Sequence, residues 1–502
     1  MRSTPAGVVR SLLLAVALAG CGTAAVRTEA PAPRDRLATL IDSIVSTPPL
    51  QRTHWGVYVH DPAAGSALLE YDARRHYIPA SNTKLVVGTV ALGELGPAFR
   101  YETRLSAAPG PADSIASGVL LVASGDPTLS SRFLPDDFAA LDSLAAAAAA
   151  AGLRHIAGDL VIDASSFDDV RVLGAWEVGD LPFTYAAPVG AFAIAEGTFA
   201  LVRIPGPTVG APATVRVLGG DHLQPVRAAV VTDTAGARTR WEIDYLERRD
   251  TITIIGSIAL GQAPDTVRLA VTDPVGYAAR ALADALGRHG IVLGGMIRVV
   301  TDSAEASAIR TRAAGAYRIV AIRRSPPMAD IVAAILQPSQ NWIAEQVLKT
   351  LGAERRGQGS WSSGLDVERR YLIDVVGIDS LAFSLRDASG LSAQNLLTPR
   401  TIVRLLEHAR VAPWGGDFRR ALAAPGLRGS TLSGRLEGLE GRVQAKTGTI
   451  ANVNSLSGFL TTDSGRALTF SIMTNGSGLP AAAVRRAIDR LVMEIAREGG
   501  RR

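Results

Sequence analysis

The sequence predicts an α+β protein: an antiparallel sheet flanked by helices, with smaller domains inserted between its two halves. Three observations carry this. Early in the chain, alternating runs at 55–60 and 66–71 lead into an apolar stretch after Lys84 that reads as a buried helix. Late in the chain, alternating runs at 441–449, 455–461 and 467–474 precede Val484, Ile488, Leu491, Val492 and Ile495 at helical spacing. Between these halves, from about 101 to 312, the pattern changes character.

The first 21 residues read as a targeting segment. Arg2 and Arg10 make a positive start, and the apolar core from Leu12 to Leu18 is too short to span a bilayer. Leu18-Ala19-Gly20-Cys21 resembles the lipobox of bacterial lipoproteins, and Cys21 is the only cysteine among 502 residues. The resemblance implies a signal peptide over 1–20 and lipid attachment at Cys21. It further implies an exported chain anchored in the cell envelope, on the periplasmic side of a membrane. Residues 21–36, rich in Ala, Pro and Thr, read as a tether.

An amphipathic helix is expected at 37–45, then the two strands joined by Asp61-Pro62-Ala63-Ala64-Gly65. The middle region holds strands near 119–123 and 160–163, an alanine-rich helix near 136–151 and β-rich sequence from 198 to 272. A helix at 277–289 and a strand at 296–300 follow. Beyond it come a strand from Arg318 and a helix from Met328. A second helix starts after Pro338 and is expected to stop at Gly352, and Thr398-Pro399 caps a third. The spacing thus divides the chain into a main domain of 37–100 and 313–502 and an insertion at 101–312. A second inserted unit is expected near 198–272.

With 47% hydrophobic and 20% charged residues, the chain can bury a large core. Its net charge of +5 is small for this length, and no basic block is interleaved with aromatics, so nucleic-acid binding is not expected. The seven histidines show no ligand spacing, so neither a metal nor another cofactor is expected.

The chemistry begins at Pro79-Ala80-Ser81-Asn82-Thr83-Lys84. Three residues apart, Ser81 and Lys84 share one face of a helix. A serine hydroxyl needs a neighbouring base to become a nucleophile, and a buried amine can serve. A helix-capping serine and a solvated lysine would give the same spacing, but lysine usage argues otherwise. The chain has three lysines, Lys84, Lys349 and Lys446, whereas 49 of its 52 basic residues are arginine. Arginine cannot be deprotonated in proteins, so a lysine retained here is needed as an amine or as a compact ammonium. Lys446-Thr447-Gly448 lies on a predicted strand, with Lys446 on a polar face and Gly448 open to close approach by a ligand. Ser339-Gln340-Asn341 stands at a loop-to-helix junction.

In this order, Ser81-x-x-Lys84, Ser339-x-Asn341 and Lys446-Thr447-Gly448 resemble the three cleft motifs of the penicillin-recognising serine enzymes. About 258 residues separate Ser81 from Ser339, more than a plain β-lactamase needs. That insertion, with Gly125-Asp126-Pro127-Thr128-Leu129, Tyr185-Ala186-Ala187-Pro188-Val189, Arg324-Ser325-Pro326-Pro327-Met328 and Asp387-x-Ser389-Gly390-Leu391-Ser392, is similar to the class C low-molecular-mass penicillin-binding proteins.

The resemblance implies a penicillin-binding-protein fold and D-alanyl-D-alanine carboxypeptidase or endopeptidase activity on peptidoglycan peptides, without a cofactor. β-Lactams would be covalent inhibitors. Carried over by residue, Ser81 is the nucleophile, Lys84 its base, and Ser339 and Lys446 a second proton relay. Asn341 holds the substrate amide, while Thr447, Gly448 and Thr449 bind substrate. Ala393 stands where relatives often carry arginine, which puts recognition of the distal peptide side chain in question, and Ala388 replaces a common glycine. The competing functions are a β-lactamase or esterase of the same superfamily and a catalytically dead, lipid-anchored wall-binding protein.

Overall fold

The computed structural model describes residues 33–245 and 250–498; Cys21 and the segment read as its signal peptide lie outside the described residues. A five-stranded antiparallel sheet runs Val443–Ile450, Val453–Thr461, Ala467–Asn475, His54–Asp61, Ser66–Tyr71 across its width. The two ends of the chain therefore build one sheet, as the paired alternating runs predict. Period-two alternation sends Val57, Val59, Leu456, Phe470 and Ile472 to one face, where helices Pro33–Ser46 and Ala481–Glu498 cover them. Phe459 and Met473 point to the other face, into the core around helix Lys84–Glu94.

Lys84–Glu94 is central. Every residue from Lys84 to Leu92 is buried, which explains why its sequence is apolar all round rather than striped. Burying Leu85, Val86, Val87 and Val90 contributes on the order of 1.5–3 kcal/mol each. Helices Met328–Leu336 and Asn341–Arg356 pack beside it, with Val332 and Leu336 against Gly88.

The intervening residues form further sheets. One is mixed, ordered Ile297–Val300, Leu160–Asp163, Val119–Val122, Glu102–Ala107, Arg318–Arg324. Its edge strand Arg318–Arg324 lies beyond residue 312, where the insertion was expected to end, and pairs antiparallel with Glu102–Ala107. Two three-stranded sheets occupy the β-rich stretch: Asp265–Ala270, Thr198–Ile204, Thr214–Val217, and Val226–Asp233, Ile252–Ala259, Arg240–Asp244. A separate core, including Leu121, Leu141, Ile162, Phe199, Ile254 and Leu282, holds these elements together.

One expectation about a helix end fails. The helix begun at Asn341 does not stop at Gly352; it runs to Arg356 and is closed by Gly357 in the left-handed region at φ 76°. Gly352 serves packing instead. A Cβ there would overlap Ser363 Oγ and stand 3.0 Å from Gly364 N, so its absence lets helix Trp361–Arg370 approach. Among the described residues no helix is long and apolar enough to cross a membrane.

Candidate active site

Ser81 sits in a 3₁₀ turn, Ala80–Thr83, that runs directly into helix Lys84–Glu94. Ala80 holds the left-handed φ of 48°, rare for a residue with a Cβ. Several contacts hold it there. Thr83 Oγ1 donates to the Ala80 carbonyl at 2.9 Å, and Ser455 Oγ donates to the Pro79 carbonyl at 2.7 Å. Asn475 brackets Ile78, accepting its N–H at 2.8 Å and donating to its carbonyl at 3.1 Å. Two glycines press on the same turn. A Cβ at Gly448 would be 2.7 Å from Pro79 O and 3.1 Å from Ser81 N. One at Gly390 would overlap Ala80 O and stand 3.0 Å from Ser81 N. Strand Val443–Ile450 and the 387–392 loop thus close on the Ser81 amide from two elements.

Lys84 is fully buried, and its Nζ meets three oxygens: Ser81 Oγ at 2.9 Å, Asn341 Oδ1 at 2.7 Å and the Ser389 carbonyl at 2.5 Å. Burial lowers its pKa to about 7, against the opposing pull of Asp387 and Glu345. A neutral amine has two N–H groups and one lone pair. With Asn341 Oδ1 and Ser389 O accepting the two hydrogens, the lone pair faces the Ser81 hydroxyl.

Lys446 is likewise fully buried, although its strand face was read only as polar. Its Nζ donates to the Thr447 carbonyl at 2.8 Å, and burial together with the Lys84 charge holds its pKa well below the ordinary lysine value. In register Lys446 faces Ser457, whose Oγ accepts from Asn82 Nδ2 at 2.8 Å. The lysine strand and the Ser81 turn are therefore knitted through side chains as well as through Gly448. Thr447 Oγ1 donates to Thr431 Oγ1 at 2.8 Å, and Thr449 Oγ1 donates to the Gly448 carbonyl at 2.8 Å.

Asn341 opens helix Asn341–Arg356, with Gln340 as its cap and Ser339 held at φ 67° just before it. Its Nδ2 donates to the Tyr185 carbonyl at 2.8 Å, which ties the helix to the middle region. Ser81, Ser339, Asn341 and Thr449 line one cleft of about 500 Å³, together with Ile78, Leu391, Ala393 and, from the middle region, Glu177, Asp180 and Tyr185. Lys84 is buried against this cleft through Ser81 and Asn341, and Lys446 is buried on strand Val443–Ile450, where the Lys84 charge acts on it. Thr447 and Gly448 precede Thr449 on that strand, and Lys349 does not line the cleft.

Three carboxyl groups are buried on this side of the site; Asp387 stands in a motif quoted from the sequence, whereas Glu345 and Glu368 escaped the sequence reading. Glu345 accepts N–H groups from Ala388, Ser389 and Trp361, and burial plus the Asp387 charge raises its pKa to about 7. Asp387 accepts from Gly390 N, Ser392 N, Asn395 Nδ2 and Trp176 Nε1. Glu368 is fully buried, and burial reinforced by the other two carboxylates pushes its pKa well up. A signal for Glu345 did exist: it stands one helical turn after Asn341.

Chemically, the cleft offers a hydroxyl and an amine that is basic near neutrality, with a second buried amine on strand Val443–Ile450. Residues 37–497 match the model of the D-Ala-D-Ala carboxypeptidase 3 (S13) family. The chain belongs to this family. It is 33% identical over 473 residues to the D-alanyl-D-alanine carboxypeptidase of Actinomadura sp. (strain R39), covering 91% of this chain and 84% of that one. It is 25% identical over 416 residues to D-alanyl-D-alanine carboxypeptidase DacB of Haemophilus influenzae, covering 82% of each. The crystal structure of penicillin binding protein 4 (dacB) from H. influenzae matches with a TM-score of 0.79 over 92% of this chain and 99% of that one. At 21% identity that match shows a shared fold, the penicillin-binding-protein architecture anticipated from the motifs.

Proposed function

We propose that this chain is a serine D-alanyl-D-alanine carboxypeptidase or endopeptidase that cleaves peptidoglycan stem peptides through a Ser81 acyl-enzyme. The observation that carries the reading is the 2.9 Å contact between Ser81 Oγ and a buried Lys84 whose pKa lies about 7. As Oγ attacks the carbonyl between two D-alanines, its proton passes to the Lys84 lone pair. The backbone N–H groups of Ser81 and Thr449 take up the developing oxyanion, typically worth on the order of 3 kcal/mol per donor. When the C–N bond breaks, the departing D-alanine nitrogen gains a proton by way of Ser339 and Lys446. Thr447 and Thr449 hold the terminal carboxylate against Lys446, Asn341 holds the peptide amide, and Gly448 leaves room for the substrate backbone. Water then releases the acyl group. Penicillins acylate the same serine and turn over slowly.

Intact-mass spectrometry after penicillin treatment tests this. One adduct per chain is expected on the wild type and none on Ser81→Ala; an adduct that survives the substitution refutes the assignment. Rapid turnover without a persistent adduct would point to a β-lactamase instead.

The acyl-transfer domain in this reading comprises 37–100 and the residues beyond about 313, with the middle region as its insertion. The lipobox resemblance adds export, cleavage before Cys21 and a lipid anchor there. Several acyl chains together give a stable anchor. Detergent-phase partitioning of the expressed protein is expected to be lost in Cys21→Ser; unchanged partitioning would remove the anchor from the proposal.

A further inference from the structure

The 387–392 loop supplies one of the three oxygens around Lys84, and two buried carboxylates accept four of its six main-chain N–H groups, the Asp387 N–H going instead to Asn395 Oδ1. Glu345 accepts the Ser389 N–H at 2.7 Å and the Ala388 N–H at 3.2 Å. Asp387 accepts the Gly390 N–H at 2.8 Å and the Ser392 N–H at 2.7 Å. The Leu391 N–H goes to Ser389 Oγ at 3.2 Å. With the N–H side of Ser389 turned to Glu345, its carbonyl is delivered to Lys84 Nζ at 2.5 Å. Glu345 is itself fixed by Trp361 Nε1 at 2.8 Å and by its place one turn after Asn341, the other oxygen partner of Lys84.

We propose that Glu345 is a positioning residue for Lys84, acting through the main chain of Ser389. The proposal rests on the reading of Ser81 and Lys84 as nucleophile and base. Asn341 Oδ1 and Ser389 O each take one N–H of the neutral amine, and only then does the lone pair face the Ser81 hydroxyl. Release of the Ser389 carbonyl frees the amine to rotate, and proton transfer depends on such alignment. One helix thereby sets both acceptors, Asn341 directly and Ser389 through Glu345. A glutamine at 345 has one acceptor oxygen, so its amide N–H₂ must face an N–H of Trp361, Ala388 or Ser389.

Charge gives a second readout. Lys84 is faced by Lys446 from the strand, by Asp387 from the loop and by Glu345 from the helix, while Glu368 lies beside the two acids. Where it is ionised, from its own raised pKa of about 7 upward, Glu345 raises the Lys84 pKa, so removing that charge lowers the Lys84 pKa there. The upper end of the acid limb of the acylation profile, near neutrality, then moves to lower pH.

The test measures the second-order rate of penicillin acylation against pH for wild type, Glu345→Gln and Glu345→Asp, with adduct mass and thermal midpoint recorded for each. Glu345→Gln is expected to acylate at Ser81 roughly tenfold to a hundredfold more slowly, as for lost outer-shell orienters of a reactive group. The upper end of its acid limb should lie at lower pH than that of the wild type. A wild-type rate overturns the proposal; so does a slow rate with an unmoved acid limb, because a merely structural role would produce that. Should Glu345→Gln fail to fold, Glu345→Asp decides: it keeps the charge but retracts the oxygens, and at least a tenfold slowing is expected, roughly the lower bound for a lost orienter. A wild-type rate in that variant overturns the proposal. A wild-type chain that takes no adduct on Ser81 would instead sink the underlying reading.

Discussion

Lys84→Arg is expected to slow penicillin acylation by about 10²–10⁴-fold, the range that a positioned general base contributes. The substitution keeps a cation next to Ser81 and keeps donors for Asn341 Oδ1 and Ser389 O. It removes the one property the mechanism needs, because a guanidinium does not give up its proton in a protein. For the wild type, the sign of the pH dependence follows from the lowered Lys84 pKa. Below about 7 the amine carries a proton and cannot accept another, so acylation should fall as the pH drops through that value. Linkage gives a matching stability signature. Between about 7 and the ordinary lysine value of 10.5 the unfolded chain binds the Lys84 proton and the folded chain does not. Stability therefore rises with pH across that window, and this contribution is lost in Lys84→Ala. An arginine variant that acylates within tenfold of wild type, with its fold intact by circular dichroism, would remove Lys84 from the role of base (a tenfold change being roughly 1.4 kcal/mol).

Parts of this site could be read from the sequence, and the reasons are specific. Ser81, Lys84, Ser339, Asn341 and Lys446 stand in short motifs whose order along the chain carries information, and lysine scarcity drew attention to two of them. The half-and-half sheet was also legible, because alternation survives in 55–60 and 467–474 despite the long separation. Asp387 was visible only as part of a loop motif, and Glu345 and Glu368 were not singled out, since 47 acidic residues give no contrast by type and only tertiary packing buries these three. The Arg318–Arg324 strand shows a different limit: its alternation signals a strand, but nothing local says that its partner is Glu102–Ala107. Gly352 was misread because glycine ends many helices; here the close crossing of Trp361–Arg370 overrides that preference.

The third lysine completes the argument about why any lysine remains in so arginine-rich a chain. Lys349 is 0% exposed, and its Nζ lies 2.5 Å from Asp168 Oδ1 and 2.5 Å from the Val170 carbonyl. It also sits 4.2 Å from the centre of the Trp361 ring. Burial lowers its pKa, while Asp168 opposes that shift. This is the compact ammonium rather than the amine, and it joins helix Asn341–Arg356 to the middle region at the side remote from Ser81 along that helix. Lys349→Met is accordingly expected to cost about 3 kcal/mol, the lower end for breaking a buried pair, since the Asp168 side chain keeps 22% exposure to water. Penicillin acylation should change by less than about tenfold, because Lys349 touches neither Ser81 nor the three oxygens around Lys84. Urea midpoints and acylation rates measured on the same preparation separate the two effects. An unmoved midpoint would mean that the pair contributes nothing net. Lost acylation in a fully folded variant would mean that Lys349 reaches the base through Glu345, its neighbour one turn earlier on the helix.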